Sequence, residues 1–498
     1  MTLNESLIWS LARCVIVASI AAWPVARLVA RIEASPTIRS RRLRLLLVVF
    51  PFFLPELLIG FNYRLTATQL TSGSSALMAA ICTEALYGFL MLSRCMAVGV
   101  ALSILLPRGN TTDESLHSWV LLRSRIANAT WWASWLRLRI FGAWQAPLVT
   151  WSVMALVAFQ EFETAALMQI DRHPISWSVW LFDAHAARLP LWDSLRMMAG
   201  PLLCELLILC PAFCVLLLRP VAEIDGLVCD RRLHGGPSVL KSVQFSALLT
   251  PGIVLFVVWP LFNNALPIVR GGLLILENAT LRQSLVQILA STGFAIGATV
   301  MSMGIAFRIC TAFQSSPRPI ASQIFWMSLL LPGLLGSLVL SLGLLAMFQL
   351  PGLRGLYDTW LPMLLGQTLA VLPFAVAVVL LLLRVSDPAA LHSAKLIAVS
   401  EESHIRRQMA TIRWRLTTGR WLLGGLIIVH RCFWDVTVAS ILRPVQVEHV
   451  ITRLYNEMHY GRTEALMSLS ILAALTPLAI AAAAMLLSRL TTISTSSR

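Results

Sequence analysis

Arg453–Leu466 reads RLYNEMHYGRTEAL, and Trp180–Leu195 reads WLFDAHAARLPLWDSL. Each is a polar, aromatic stretch set between two apolar runs. Leu454 and Tyr455 answer Leu181 and Phe182, and Arg462 answers Arg188. The echo extends outward from this pair. NESLIWSLA (Asn4–Ala12) matches RQSLVQILA (Arg282–Ala290), and LPEL (Leu54–Leu57) matches LPGL (Leu331–Leu334). ESLHSWVLL (Glu114–Leu122) matches AALHSAKLIA (Ala389–Ala398), and FQEFETAAL (Phe159–Leu167) matches RCFWDVTVASIL (Arg431–Leu442). All recur at a separation of roughly 275 residues, and several weak matches at one spacing argue for a duplicated unit.

The composition says what kind of unit was duplicated. Of 498 residues, 57% are hydrophobic and only 13% charged, with a mean hydropathy of +0.77. That excludes an ordinary soluble domain, which needs far more polar surface. Apolar length predicts an all-α polytopic membrane protein of about eleven spans. They fall near 7–26, 45–63, 76–106, 143–160, 196–218, 243–265, 283–306, 321–348, 360–383, 421–441 and 465–488. The third and eighth are long enough to tilt or to extend beyond the bilayer. Pro residues in FPFFLPEL and LLLPGLLG are placed to kink or break the second and eighth.

The net charge of +15 is first a topology signal. With the N-terminus outside, alternate loops are basic. Arg27, Arg31, Arg39, Arg41, Arg42 and Arg44 share the first inner loop. Arg384, Lys395, Arg406, Arg407, Arg413, Arg415 and Arg420 share a late one. About 26 basic residues fall inside and about 10 outside, as the positive-inside rule expects. Nucleic-acid binding is not needed to explain the charge. The first positive residue is Arg13, so no basic segment precedes the first apolar run. An uncleaved anchor is expected rather than a cleaved signal peptide.

An even number of helices separates the matches, so the copies share one orientation about an axis along the membrane normal. The expected division is a first repeat over 1–218 with about five spans, a cytoplasmic linker over 219–242, and a second repeat over 243–498 with about six. The second copy carries one extra leading helix, and the C-terminus lies inside. Two classes fit a parallel duplication: a major-facilitator type of secondary transporter, and a fused pair of ABC permease domains. A major facilitator puts its long inner loop between the halves, whereas here the longest inner loops, near 107–142 and 384–420, lie at equivalent places within each half. A motor outside the membrane needs one protruding handle on each half. Lysines occur only at Lys241 and Lys395, after Leu240 and Ala394, so there is no P-loop, whose lysine reaches nucleotide phosphates.

In DVTVASILRPVQVEHVITRLYNEMHYGRTEAL (Asp435–Leu466) an acid, small residues, Leu-Arg-Pro and a Thr-x-x-Tyr stretch follow one another, carried by Asp435, Leu442, Arg443, Pro444, Thr452, Tyr455 and Gly461. In the first half EFETAALM and WSVWLF are the matching segment. With these features the chain resembles the fused permease subunit of binding-protein-dependent ABC importers, in its ferric-iron/thiamine branch. The resemblance implies a type I importer fold in a bacterial cytoplasmic membrane and a path for a small solute, with ferric iron among the candidates. It implies two ATP-binding cassette ATPase subunits and an extracytoplasmic solute-binding protein as partners, beside membrane lipid, with no nucleic acid and no cofactor. The chain itself would be no enzyme.

The family's coupling motif is Glu-Ala-Ala, three residues, Gly, nine residues, Ile-x-Leu-Pro, and here it is eroded. His392, Ser393 and Ala394 take the Glu-Ala-Ala places in the second half and Ala398 the glycine; Glu114, Ser115, Leu116 and Val120 take them in the first. Those eight residues are the expected ATPase-coupling sites. Glu161, Glu163 and Asp435, at the outer ends of equivalent helices, are candidates for the translocation path; a cation would be favoured there, though interfacial carboxylates can equally be hydrated. Glu56, Glu84, Arg13, Arg94, Glu205, Arg431 and Asp435 fall in spans and should face protein or water, with Arg94 and Glu84 pairing or snorkelling. His173, His185, His449 and His459 fall in outer loops beside acids, but no spacing fixes a metal geometry; docking of a binding protein is the favoured reading. Two alternatives stand beside the importer. One is an ion-coupled secondary transporter resting on Glu84, Arg94 and Glu205, and the other a degenerate, non-transporting relative.

Overall fold

The computed structural model describes residues 2–35, 37–106, 135–136, 140, 144–168, 176–186, 190–217, 247–275, 278–314, 320–385, 414 and 418–495. These residues contain helices and no strand. Among the described residues six helices are long and apolar enough to cross a membrane, or up to nine if each of three bent pairs is one span. The protein is thus an all-helical, polytopic membrane protein. The chain divides into two compact units, Met1–Asn263 and Asn264–Arg498.

The first unit opens with α1 (Leu3–Glu33), started by a capping box between Thr2 and Glu5. One stripe of α1, through Ser10, Arg13, Val17, Ala21 and Leu28, is buried. Its other face leaves Ile8, Ile16, Ile20 and Trp23 exposed. A helix apolar all round, with small residues on its packed side, is what a lipid solvent selects. Then come α2 (Ile38–Val49), α3 (Glu56–Thr71) and α4 (Ala76–Leu105). After them lie α5 (Gln145–Gln160), the short α6 (Glu163–Met168), α7 (Trp177–Ala186) and α8 (Leu191–Leu217). Helix α9, Ala247–Asn263, completes the unit. It lies on α3, where Tyr63 donates to the Leu255 carbonyl at 2.6 Å and Trp259 Nε1 donates to Thr66 Oγ1 at 2.9 Å. Leu255 sits in a π-helical turn, Val254–Val258.

The second unit begins with α10 (Ala265–Leu274), packed on the last helix, and continues through α11 (Asn278–Gln314), α12 (Ile320–Leu334), α13 (Gly336–Phe348) and α14 (Trp360–Val385). It ends with α15 (Thr418–Phe433), α16 (Val436–Leu442), α17 (Val450–His459) and α18 (Thr463–Thr495). The order of long and short helices from α11 to α18 repeats that from α1 to α8. So does the packing. The first helix of the series touches the fourth, fifth and seventh, the third touches the fourth and sixth, and the fifth touches the eighth, in both units. The packing boundary at Asn263 lies beyond the 219–242 linker expected from sequence, which falls outside the described residues. Residues 247–263, expected to lead the second repeat, pack in the first unit through α3.

Three expected spans are interrupted, and each interruption has a local cause. The 45–63 span stops at Val49, passes through a 3₁₀ turn at Phe50–Phe53, and restarts after Pro55, whose backbone is extended. Proline holds the preceding residue out of the helical region, so Leu54 is extended too. The 321–348 span is not one tilted helix. It bends by 112° between α12 and α13, where Gly336 takes φ +78°, a conformation that costs a side-chain-bearing residue. The 421–441 span bends by 57° at Asp435. The 143–160 span is α5, whose 16 residues fall short of the length that spans with ease.

Close approach of α12 and α14 fixes the sharpest bend. A Cβ at Gly333 would sit 2.1 Å from the Leu369 carbonyl oxygen and 2.6 Å from Pro373. Backbone cannot swing aside as a flexible side chain can. Gly333→Ala is therefore expected to lower stability by about 1–3 kcal/mol. Gly304→Ala, with open space around it, should be neutral or better by helix propensity. Thermal unfolding of the two purified variants in detergent checks the contrast; equal midpoints would refute it.

Candidate functional site at the helix breaks

A helix broken inside a bilayer leaves amides and carbonyls with no water to satisfy them. In each unit the break before the short helix is closed by an acid. Glu161 ends α5, and its carboxylate accepts from the amides of Thr164 at 2.5 Å and Ala165 at 3.1 Å. Asp435 caps α16, accepting from the Val438 amide at 3.0 Å. Each acid also accepts one hydroxyl from another helix: Tyr87 on α4 donates to Glu161 at 2.5 Å, and Ser337 on α13 donates to Asp435 at 2.7 Å. Both side chains are buried. The carbonyls released at the end of α5 are filled as well. Trp177 Nε1 donates to Phe159 O and Ser178 Oγ to Glu161 O, each at 2.8 Å.

Around Glu161 the first unit builds a charged network. Arg13 on α1 pairs with Glu84 on α4 through two nitrogens, donates from a third to Ser176 Oγ at 2.9 Å, and lies 4.9 Å over the ring of Tyr87. Immediately after the break at Pro55, Glu56 at the start of α3 pairs with Arg94 on α4. The exposures of that pair are 5% for Arg94 and 10% for Glu56. Leu54, Glu56, Ile59, Arg94 and Thr164 line a narrow cleft closed by Phe256 of α9. On α8, Glu205 is wholly buried; one carboxylate oxygen accepts from Gln160 at 3.1 Å and the other has no partner in the structure.

The second unit is chemically plainer. Gln287 on α11 donates to Glu448 and accepts from Arg453 at 2.8 Å, holding α17 against α11. The first amide of α17, Val450, donates to Ser291 Oγ at 3.0 Å; in the first unit Trp177, heading α7, donates to Ser10 Oγ at 3.2 Å. His449 caps α17 and is fully buried. Its Nδ1 accepts from the Ile451 amide at 3.4 Å, which requires the neutral ring with its proton on Nε2. Burial, and secondarily the charge of Arg443, pushes its pKa down to about 3.

Of the residues singled out from sequence, Glu161, Glu163 and Asp435 are all buried at the start of the short helices α6 and α16. Glu161 and Asp435 are engaged with helix amides. Glu84 and Arg94 are paired, though with Arg13 and Glu56. Glu114, Ser115, Leu116, Val120, His392, Ser393, Ala394, Ala398 and His173 lie outside the described residues. Among the described residues no group of three or more His, Cys, Asp or Glu side chains is placed to hold a metal ion. Sequence reasoning missed Tyr87. The signal was there, since Glu84, Tyr87 and Arg94 recur at the spacing of one α4 face. Comparison with protein-family models, with curated protein sequences and with solved structures gives no match.

Two measurements test these clusters. Arg94→Gln leaves Glu56 buried without its cation and should cost about 3–5 kcal/mol, while Glu56→Gln added to it should recover most of the loss. Denaturant midpoints of the two variants read this out; a double variant no better than the single one overturns the pairing. For His449, the native state binds its proton far more weakly than the unfolded chain does. Stability is therefore full above about pH 6.5 and is lost progressively as pH falls toward 3. Thermal midpoints across pH 7 to 4 should fall less steeply in His449→Gln, and an unchanged slope would exclude His449 as a source.

Proposed function

We propose that the chain is the permease subunit of a binding-protein-dependent ABC importer and forms the membrane path for a small solute. The observation that carries the reading is the matched series of helices. In both units the interruption between the fourth and fifth helices, residues 106–144 and 386–417, falls at the same place, and the acid-capped break follows the fifth helix. Two copies of one bundle, each with a segment outside the described residues at an equivalent position, would suit two identical ATPase subunits gripping one segment apiece. The basic bias of those segments favours the cytoplasmic side, and by the resemblance the membrane would be a bacterial inner membrane. The outer loops around α7 and α17 would then receive a solute-binding protein. Driven by the ATPases, the halves would rock between two packed arrangements. The breaks capped by Glu161 and Asp435 are the places where each bundle can flex without exposing backbone to lipid. By the resemblance, ferric iron is the first solute to try.

Buried charge favours a second reading. Arg13, Glu84, Arg94 and the half-satisfied Glu205 lie within candidate spans, and Glu56 reaches Arg94 from the start of α3; ionisable groups so placed mark ion pathways. An ion-coupled secondary transporter would use them directly.

One experiment separates the two. The tagged full-length chain is purified from its native membrane with cross-linking and labelled with azido-ATP. The importer reading expects an ATP-binding polypeptide at two copies per chain, lost when 114–120 and 392–398 are replaced by Gly-Ser sequence. Absence of any labelled polypeptide, together with ferric citrate uptake into proteoliposomes driven by an ion gradient alone, would replace it with the secondary transporter.

A further inference from the structure

Helix α2 carries a feature that topology alone does not require. Arg39, Leu43, Leu46 and Phe50 recur at helical spacing on one face, with Arg42 and Leu47 beside them. That face is open: Leu43 is 59% exposed, Leu46 65% and Phe50 42%, whereas Val48 on the opposite side is buried. Arg39 and Arg42 are exposed and pair with no carboxylate among the described residues. Along one outward face the chemistry therefore changes from guanidinium to leucine within a single turn.

Helix α1 shows the same change independently. Its exposed face runs Ile16, Ile20 and Trp23, and then Arg27, whose guanidinium lies 5.4 Å over the Trp23 ring. Arg27 is about 9 Å along the axis from the end of α1, and Leu43 is about 7 Å from the start of α2, at 1.5 Å per residue. The α1–α2 turn lies between them, and Arg44 of α2 donates to the Arg31 carbonyl of α1 at 3.1 Å. On both helices, then, exposed apolar side chains give way to exposed guanidiniums toward the α1–α2 turn, with the Trp23 indole at the change on α1. Such a change is the pattern expected where acyl chains meet headgroups.

The geometry points to a headgroup site for anionic phospholipid at this end of the first unit, with Arg39 and Arg42 holding the phosphate and Leu43, Leu46 and Phe50 lying along the acyl chain. The ligand must supply both parts. A free phosphate would engage the guanidiniums and leave the leucine stripe uncovered, and a zwitterionic lipid would cover the stripe and bring no net charge. A basic residue near an anionic surface contributes enough that losing two weakens binding about thirtyfold, and losing one about fivefold.

The test uses the purified full chain in detergent, titrated with dioleoyl-phosphatidylglycerol, dioleoyl-phosphatidylcholine or inorganic phosphate and read by native mass spectrometry. Wild type should retain phosphatidylglycerol in preference to phosphatidylcholine, and equimolar inorganic phosphate should not displace it. Arg39→Gln with Arg42→Gln should bind about thirtyfold more weakly, and each single variant about fivefold, which keeps the test valid if the double variant misfolds. Arg41→Gln removes the same charge from the other side of α2 and should leave the affinity within about twofold of wild type. Equal affinity in wild type and the Arg39 and Arg42 variants would overturn the site. So would equal retention of the two lipids, displacement by phosphate, or a loss in Arg41→Gln as large as in Arg39→Gln.

Discussion

A membrane-spanning helix can be interrupted only if its severed ends are supplied with hydrogen-bond partners by the protein itself. Everything else in this structure is arranged around that constraint. Glu161 and Asp435 each place a carboxylate over the first amides of a short helix and accept a hydroxyl from a neighbouring one. Trp177 and Ser178 then fill the carbonyls that α5 gives up. Because the cap reaches into another helix, the break is also a packing junction: α6 rests on α3, and α16 on α13. Helices α7 and α17 come next, each tethered at its first amide by a serine, Ser10 of α1 and Ser291 of α11.

The two units solve this problem with the same scaffold and different chemistry. Around Glu161 the first unit adds two buried ion pairs and a tyrosine, so that α1, α3 and α4 are bound through charge. The second unit uses a serine at the corresponding junction and a Gln287 bridge at the outer helix. In a medium that solvates ions poorly, paired charges hold because separating them is costly, whereas neutral hydrogen bonds exchange more readily. The first unit is accordingly tied by more charge about its break, and the second contains the sharper bend, at Gly336.

His449 shows the same economy in a loop. Its imidazole serves as a helix cap only while neutral, because the nitrogen that accepts the Ile451 amide must carry no proton. Burial keeps it so. Read from sequence, His449 belonged with His173, His185 and His459 in a diffuse histidine-and-acid pattern. Packed, it faces Phe433 and its own helix.

The sequence by itself determined the solvent, the duplication and the punctuation. Apolar length and a deficit of charge require a lipid-facing helical protein, the recurrence near 275 residues requires two like units, and Pro55 and Pro332 mark two of the interruptions. All of these are local or periodic properties of a chain. Tertiary structure alone decided which charges meet. Arg13 and Glu84 are separated by 71 residues, and Glu56 and Arg94 by 38, so no spacing within one helix could reveal either pair. It also decided that Glu161 and Asp435 face backbone amides, that 247–263 packs in the first unit, and that the 321–348 run folds sharply. Each of those outcomes depends on how closely a neighbouring helix approaches, a distance that only packing sets.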